Sequence, residues 1–481
     1  MIPRIRRKDL RTGAFATIIC LAAVLFSAGC QTNPVTGRSE LRLVSESQEV
    51  QLGHRTHPNV IFMYDGEYYD HELNRYLGTI VMRLHSVSHR AQMPMDFTML
   101  NTSTINAFAT PAHVYATRGF LAELENEAQF AAVMGHELAH VAAGHSAQRL
   151  SQNILISLAF GLAGQVADSG AASAALNVGQ VGVTLLGLSY SREQERQADR
   201  VGTYYMALAG WDPDEAISMQ RLLHDLNEHQ ANFMDKYLST HPQEENRISE
   251  IRAVVDERNL SRRHVQGDGV FADRWNRRLQ RLRQVNQDFA PYDRGMKLLE
   301  KKDYRAALQA AEEALSIRDD QAQFFRLKGD ALLGLNRIRE SRDAYGQSLD
   351  RDGRYVLANL GLAQAYEAEG NHRAAEREYA KVAHDYPGSV QGLYGLAVSR
   401  YRLQDYAGAV RPFEEVVNAV PELAPAHYML ANCYERTGRP AAAYQSYHSA
   451  LSAGLSGTER NSAANRIRAL QPVVAPESEE K

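Results

Sequence analysis

The chain contains few cysteines, no strong excess of either charge, and no apolar run long enough to cross a membrane comfortably. Cys20 and Cys30 fall within or beside the N-terminal apolar segment, which leaves Cys433 as the lone cysteine of the remaining chain. A single cysteine cannot form an intramolecular disulfide. The net charge is −4 at pH 7 and the isoelectric point is near 6.5. These values give no electrostatic case for nucleic-acid binding.

The first 29 residues have the pattern of a targeting segment rather than of a folded domain. Basic residues precede an uncharged run from Ala14 to Ala28, which is too short to span a bilayer comfortably. The Ser-Ala-Gly-Cys sequence ending at Cys30 resembles a lipobox, and Gln31 is similar to an outer-membrane sorting signal. We therefore predict a periplasmic protein anchored to the outer membrane by a lipidated Cys30. Cleavage by an ordinary signal peptidase after the same glycine is the alternative.

The most informative motif is His-Glu-Leu-Ala-His at residues 136–140. It lies in a stretch of good helix formers without proline, Leu121 to Leu150, so His136 and His140 share one helical face. Two imidazoles on one face can bind a single metal ion, and Glu137 is then placed to act as general base on a water. This pattern is typical of zinc hydrolases. A buried helix with two ordinary histidines is the alternative.

A catalytic zinc site of this kind needs a third protein ligand. A metzincin would supply a histidine two turns later on the same helix, after a glycine, but Ser146 and Ala143 occupy those positions. Glu195 and Asp199 lie four residues apart on a second predicted helix. There Glu195 would bind zinc, and Asp199 would accept a hydrogen bond from a ligating imidazole. A solvated helix face is the alternative for so highly charged a segment.

Four motifs together resemble one family: Asn106–Pro111, His136–His140, Ser191–Asp199, and Ser239–Pro242 with Arg247. Over roughly Asn33 to Arg252 the chain is similar to the HtpX- and BepA-like zinc metallopeptidases, which are gluzincins related to the CAAX prenyl protease. The resemblance implies one zinc ion per chain, held by His136, His140 and Glu195, with Glu137 as base. It also implies that His241 can occupy the fourth zinc position and hold the enzyme inactive. A histidine that hydrogen-bonds the transition state, or an ordinary loop histidine, is the alternative.

Two further segments carry predictions near this site. Asn106, Ala107 and Phe108 open a strand-forming segment that Pro111 confines to a sheet edge, where an extended peptide can bind by strand addition. A plain structural edge strand is the alternative. Between residues 150 and 191 two apolar pieces, each shorter than the ~20 residues of a spanning helix, predict a helical hairpin over the active-site cleft. It would act as a lid or touch the membrane; a transmembrane hairpin, as in HtpX-like relatives, is the alternative.

From Tyr292 onward, residue types recur with a period of 34. Two positions in each period hold small residues, and a third holds an aromatic residue in four of the five periods. That pattern is typical of tetratricopeptide repeats, and a final helix near Thr458 to Leu470 would cap the stack. The positions are Gly295, Gly329, Ala363, Ala397 and Ala431; Ala307, Ser341, Ala375, Ala409 and Ala443; and Ala311, Tyr345, Tyr379, Phe413 and Tyr447.

We therefore predict a mainly α-helical protein: a zinc metallopeptidase domain with a small β-sheet, followed by an α-solenoid. The predicted segments are residues 1–29 (signal), 30–255 (peptidase domain), 256–291 (an Arg-rich, solvated helical linker), 292–470 (solenoid) and 471–481 (tail). Contact with lipid head groups or nucleic acid is the alternative for the linker. By resemblance, the enzyme degrades misfolded or misassembled envelope proteins, and its repeats bind clients or the outer-membrane assembly machinery. The alternatives are a repeat array that serves as a spacer, and a non-proteolytic periplasmic chaperone or assembly factor with a gated metal site.

Overall fold

The computed structural model describes most of the chain downstream of the predicted signal segment. The signal segment, the predicted hairpin between residues 154 and 188 and most of the predicted tail lie outside the described ranges, so the structure does not test those predictions. Within the described ranges, no helix combines the length and apolarity that a membrane span requires. The described residues are 30–152, 189–242, 246–257, 259–260 and 265–474.

The first half combines helices with two small sheets, as predicted. Its strands are β1 (Cys30–Thr32), β2 (Ser39–Leu41), β3 (Asp96–Leu100), β4 (Ala107–Thr110) and β5 (His113–Thr117). Its helices are α1 (Glu46–Met63), α2 (His71–Ser86), α3 (Arg118–Glu123), α4 (Glu127–Ala143), α5 (Arg192–Leu208), α6 (Glu215–Thr240), α7 (Arg247–Glu257) and α8 (Ala272–Asp288).

The segment predicted as one edge strand is a hairpin. Strand β4 pairs antiparallel with β5, β5 pairs parallel with β3, and the sheet order is β3-β5-β4. The chain reverses at Pro111 and Ala112, where Pro111 has no N–H to continue a ladder and Ala112 adopts a left-handed φ of 69°. Ala107 and Phe108 therefore lie on the edge strand, whereas the residues after the turn lie in the centre of the sheet.

The helix that carries the His-Glu-x-x-His motif is buried on all sides. Asn126 caps its N-terminus by accepting a hydrogen bond from the backbone of Gln129, and Gly144 ends it with a φ of 67°. The helix predicted over Leu121–Leu150 is thus divided into α3, α4 and a further helical stretch at residues 145–152. The helix passes close to α5 at Gly135, because a Cβ there would lie 2.8 Å from the backbone oxygen of Gly202.

The second half is a stack of helix pairs, which confirms the predicted solenoid. Small residues sit where aromatic side chains cross them: a Cβ on Gly361 would lie 2.3 Å from the ring of Tyr345. The first helices of successive pairs contact one another and so line the inner side of the stack. The pairs are α9 (Ala290–Glu300) with α10 (Tyr304–Ile317), α11 (Ala322–Gly334) with α12 (Ile338–Arg351), α13 (Val356–Ala368) with α14 (His372–Asp385), α15 (Val390–Arg402) with α16 (Tyr406–Ala419), and α17 (Ala424–Arg436) with α18 (Pro440–Ser452); α19 (Gly457–Val474) caps the stack.

The connection between the halves is helical but not solvated on all sides. One face of α8 is fully buried in the core of the first half, through Trp275, Leu279, Leu282 and Val285. The same hydrophobic cluster continues to Leu327 of the second repeat. The prediction of a solvated linker is therefore wrong for this face, because its apolar residues recur at a helical spacing between the arginines.

Candidate metal centre

Two crossing helices build the centre. On α4, the Nε2 atoms of His136 and His140 lie 3.0 Å apart. On α5, the Glu195 carboxylate lies 3.3 Å from Nε2 of His140 and 3.6 Å from Nε2 of His136. Helix α5 starts with a reciprocal capping box, in which the side chains of Ser191 and Gln194 each bond the other's backbone. The crossing at Gly135 and Gly202 lets the two helices approach closely enough for these groups to meet.

His241 joins this group from the end of α6. It caps the helix with its backbone N–H bonded to Tyr237, and its ring stacks on the Tyr237 ring. Its Nδ1 lies 3.0 Å from Oε1 of Glu195, and its Nε2 lies 3.6 Å from Oε1 of Glu137. His136, His140, Glu195 and His241 each offer one ligand atom within 4.8 Å of the others. The predicted ligands and the predicted gating histidine are thus brought together.

Asp199 and Arg247 lie behind the first histidine. Oδ1 of Asp199 is 2.9 Å from Nδ1 of His136, and the guanidinium of Arg247 donates to both Asp199 oxygens at 2.7 Å. Burial opposes ionisation of Asp199, but Arg247 and the His136 bond lower the pKa of its carboxyl. An ionised Asp199 accepts a hydrogen bond from Nδ1–H of His136, so the lone pair on Nε2 of His136 points towards the other ligands. Glu195 and Asp199 are buried, so the solvated-face alternative does not describe them.

His145 orients His140 in the way that Asp199 orients His136. This role was not predicted from the sequence. Nδ1 of His145 is 2.8 Å from Nδ1 of His140, and its Nε2 is 2.9 Å from the side-chain oxygen of Gln197. Burial lowers the pKa of His145 to about 4, so the ring is neutral at pH 7. Because the Gln197 oxygen can only accept, Nε2 of His145 carries the proton and its Nδ1 accepts from His140. The one available signal was a histidine one residue past the helix-ending Gly144.

Glu137 is fully buried beside this group. Burial raises the pKa of its carboxyl, and the imidazoles of His241 and His136 act in the opposite direction. Neither of its oxygens has a hydrogen-bond partner among the described residues, and the same holds for Oε2 of Glu195 and Nε2 of His241. Buried polar atoms rarely lack a partner. Here several oxygen and nitrogen atoms without partners face one another. Two of the histidines are also held in the tautomer that leaves Nε2 free to bind a metal. This set of donor atoms suits a zinc ion.

The centre is shielded by the residues around it. His136 is 6% exposed, His140 1%, and Glu195 and His241 0%. The ring of Tyr190, also buried, stacks on His140 at 3.8 Å between ring centres. Strand β4, with Ala107 and Phe108, packs against α4. In the part of the chain that the structure describes, the group is therefore almost entirely shielded from solvent.

Both halves of the chain are similar to known protein families. Residues 71–255 match the family model described as peptidase family M48, and residues 326–390 and 394–456 match a tetratricopeptide-repeat model. The beta-barrel assembly-enhancing protease of Escherichia coli K12 is 25% identical over 435 residues, which cover 78% of this chain and 81% of that protein.

Two further relatives cover shorter parts of the chain. The mitochondrial metalloendopeptidase OMA1 of Schizosaccharomyces pombe is 28% identical over 253 residues, covering 52% of this chain and 73% of that protein. A putative beta-barrel assembly-enhancing protease of Vibrio cholerae is 32% identical over 190 residues, covering 38% of this chain and 39% of that protein. The similarity is therefore broad along the chain but moderate in identity.

Proposed function

We propose that this metalloendopeptidase, whose residues 71–255 form a peptidase family M48 domain, is a zinc enzyme. His136, His140 and Glu195 would hold the ion, and Glu137 would be the general base. The observation that carries the proposal is the buried convergence of these ligand atoms next to a carboxylate with no hydrogen-bond partner among the described residues. We also propose that the peptidase domain spans residues 30–255 and the repeat solenoid residues 292–470.

The residues of the centre suit peptide hydrolysis. A bound zinc ion lowers the pKa of a water towards ~7 and polarises a carbonyl. Glu137 would accept a proton from the water and pass it to the leaving amine, a task that suits a carboxyl whose pKa is raised by burial. Strand β4 offers a peptide an edge for strand addition, with Asn106, Ala107 and Phe108 nearest its start.

The proposed biological role is quality control of the cell envelope. Relatives named for enhancing β-barrel assembly support substrates among misfolded or misassembled outer-membrane proteins. The lipobox-like sequence at Cys30 supports a periplasmic location with a lipid anchor. The inner face of a repeat solenoid is an extended surface that suits binding of clients or of the assembly machinery.

Replacing Glu137 tests the catalytic assignment. We expect Glu137→Gln to keep zinc, because no proposed ligand changes. We expect it to lower the rate of cleavage of an unfolded envelope protein by about 10²–10⁴-fold. Digestion of casein and metal analysis of both proteins measure the two properties. Glu193→Gln, on the exposed face of α5, is the matched control and should cleave normally. Unchanged cleavage by Glu137→Gln would contradict the assignment.

The burial of the site favours a second function, that of an assembly factor whose metal site is gated. His241 is fully buried among the ligands, where a neutral imidazole can compete with water for an open zinc position. If His241 gates the ion, His241→Ala should retain zinc and raise the rate of casein cleavage. A variant that retains zinc and loses cleavage would show instead that His241 assists catalysis. A variant that loses zinc would make His241 a structural ligand.

A further inference from the structure

One residue of the peptidase half is held by the inner face of the solenoid. Asp65 lies in the turn after α1, with a left-handed φ of 66°. Its carboxylate accepts hydrogen bonds from the hydroxyls of Tyr292, at 2.5 Å, and Tyr355, and its backbone oxygen accepts one from Gln323. The guanidinium of Arg326 lies 3.6 Å from the same carboxylate. The turn is therefore bound as a ligand by three successive repeats.

The groups around Asp65 are built as a carboxylate receptor. Arg326 donates to the hydroxyls of Tyr292 and Tyr355, at 2.5 and 2.9 Å, so both hydroxyl protons are directed at Asp65. Arg326 is 7% exposed, Tyr292 4% and Tyr355 2%. Two hydroxyl donors backed by a buried guanidinium suit an anionic oxygen pair. The same guanidinium is also paired with Asp330 of its own helix, which holds it in place behind the two hydroxyls.

The repeat position of Tyr292 and Arg326 does not require a charged residue. Tyr292 and Arg326 are 34 residues apart and so share one repeat position, which holds Leu360, Tyr394 and Tyr428 in the later repeats. An apolar residue is therefore compatible with this position. Arg326 is the one charged residue at this position in the five repeats, and it lies where the solenoid meets Asp65.

The bound turn also touches the predicted substrate strand. Tyr64, next to Asp65, bonds through its hydroxyl to the side chain of Asn106 at 2.8 Å. Its ring lies 5.1 Å from that of Phe108 on strand β4. A displacement of Asp65 would therefore be transmitted to strand β4 through one side chain, that of Tyr64.

We propose that Tyr292, Arg326 and Tyr355 form a carboxylate-binding site on the inner face of the solenoid, occupied in cis by Asp65 and opened to an acidic client segment that replaces it. The proposal deepens the proposed client-binding role of the repeats. Its test measures binding rather than proteolysis, so it can fail while the peptidase assignment survives.

The probe is a fluorescein-labelled peptide copying residues 60–70 of this chain, and a second peptide with asparagine in place of Asp65. Binding to the full-length protein is measured by fluorescence polarisation. Asp65→Asn keeps the left-handed turn, which asparagine adopts readily, and removes the competing charge. A tethered competitor acts at a millimolar effective concentration. We therefore expect the acidic peptide to bind Asp65→Asn at least about tenfold more tightly than it binds the wild type.

Three controls decide the interpretation. Asp65→Lys opens the site further by repelling Arg326 and should also bind the acidic peptide. Adding Arg326→Gln to Asp65→Asn should abolish binding, whereas adding Tyr394→Phe, at the same repeat position two repeats beyond Arg326, should not change it. Equal affinity for the two peptides, or no binding to either Asp65 variant, would overturn the proposal and leave Asp65 as a structural anchor between the halves.

Discussion

The two halves of the molecule bury different kinds of side chain. The peptidase half buries charged groups in pairs, such as Asp199 with Arg247 and Glu49 with Arg90. The repeats, from the third onward, bury alanine against aromatic rings, as where Ala397 and Phe413 share one cluster, and most of their ion pairs lie on the surface. Removing one member of a buried pair leaves an uncompensated charge, whereas removing an exposed partner costs little.

The difference in buried side chains reflects the difference between a functional site and a repeated packing unit. The peptidase half holds imidazole tautomers and buried charges in place at one site, and partners such as His136 and Asp199 lie far apart in sequence. The solenoid repeats one packing solution between neighbours about 34 residues apart. Substitutions should therefore act through defined partners in the first half and through local packing volume in the second.

The largest effect is expected from breaking the buried pair. Arg247→Met would leave Asp199 and Glu195 without their cation, and we expect the free energy of unfolding of the peptidase half to fall by about 3–5 kcal/mol. Denaturant titration followed by tryptophan fluorescence measures it, because Trp211 and Trp275 are both buried in this half. Arg337→Met, which breaks an exposed pair in the solenoid, should leave the transition unchanged. Equal shifts in both variants would remove the contrast between the halves.

A smaller effect is expected behind the second histidine. His145→Phe deprives Nδ1 of His140 of its acceptor, and we expect zinc affinity to fall by about 10–100-fold. Competition with a chromophoric chelator measures the affinity directly, independently of activity. His145→Gln, whose side-chain oxygen can accept the same bond, should recover most of the loss. The exposed His384 of the solenoid provides the control, since His384→Phe should not alter zinc binding. Full affinity in His145→Phe would show that His140 needs no partner.

The smallest effect is expected at a helix crossing of the solenoid. A Cβ on Gly361 would overlap the ring of Tyr345, and overpacking of this kind costs about 1–3 kcal/mol. Alanine regains about 1 kcal/mol of helix propensity relative to glycine. We therefore expect Gly361→Ala to lower the stability of the solenoid by only about 1 kcal/mol, measured by thermal unfolding followed by circular dichroism. Gly135→Ala, whose Cβ would meet the backbone of α5, should be worse and should also weaken zinc binding.

Local patterns were sufficient for the general architecture. The spacing of His136 and His140 on one helix, and of Glu195 and Asp199 on another, follows from helical geometry alone. The solenoid follows from a period that each repeat satisfies with its neighbours. The hairpin at Pro111 was not predicted, because the residues before and after the turn have the same strand-forming character. The burial of α8 was missed because its arginines dominate its composition.

By itself the sequence determined the helical class, the repeat array and the residue types of the candidate metal centre, because those depend on periodicities within single elements. Only the tertiary structure decided that His145 orients His140 and that His241 lies among the proposed ligands. It also decided that residues of three repeats bind Asp65. Asp65 and Tyr355 are 290 residues apart, and no local period relates them. Contacts of this kind arise only when the whole chain packs, because they are selected by complementary charge and shape between distant elements.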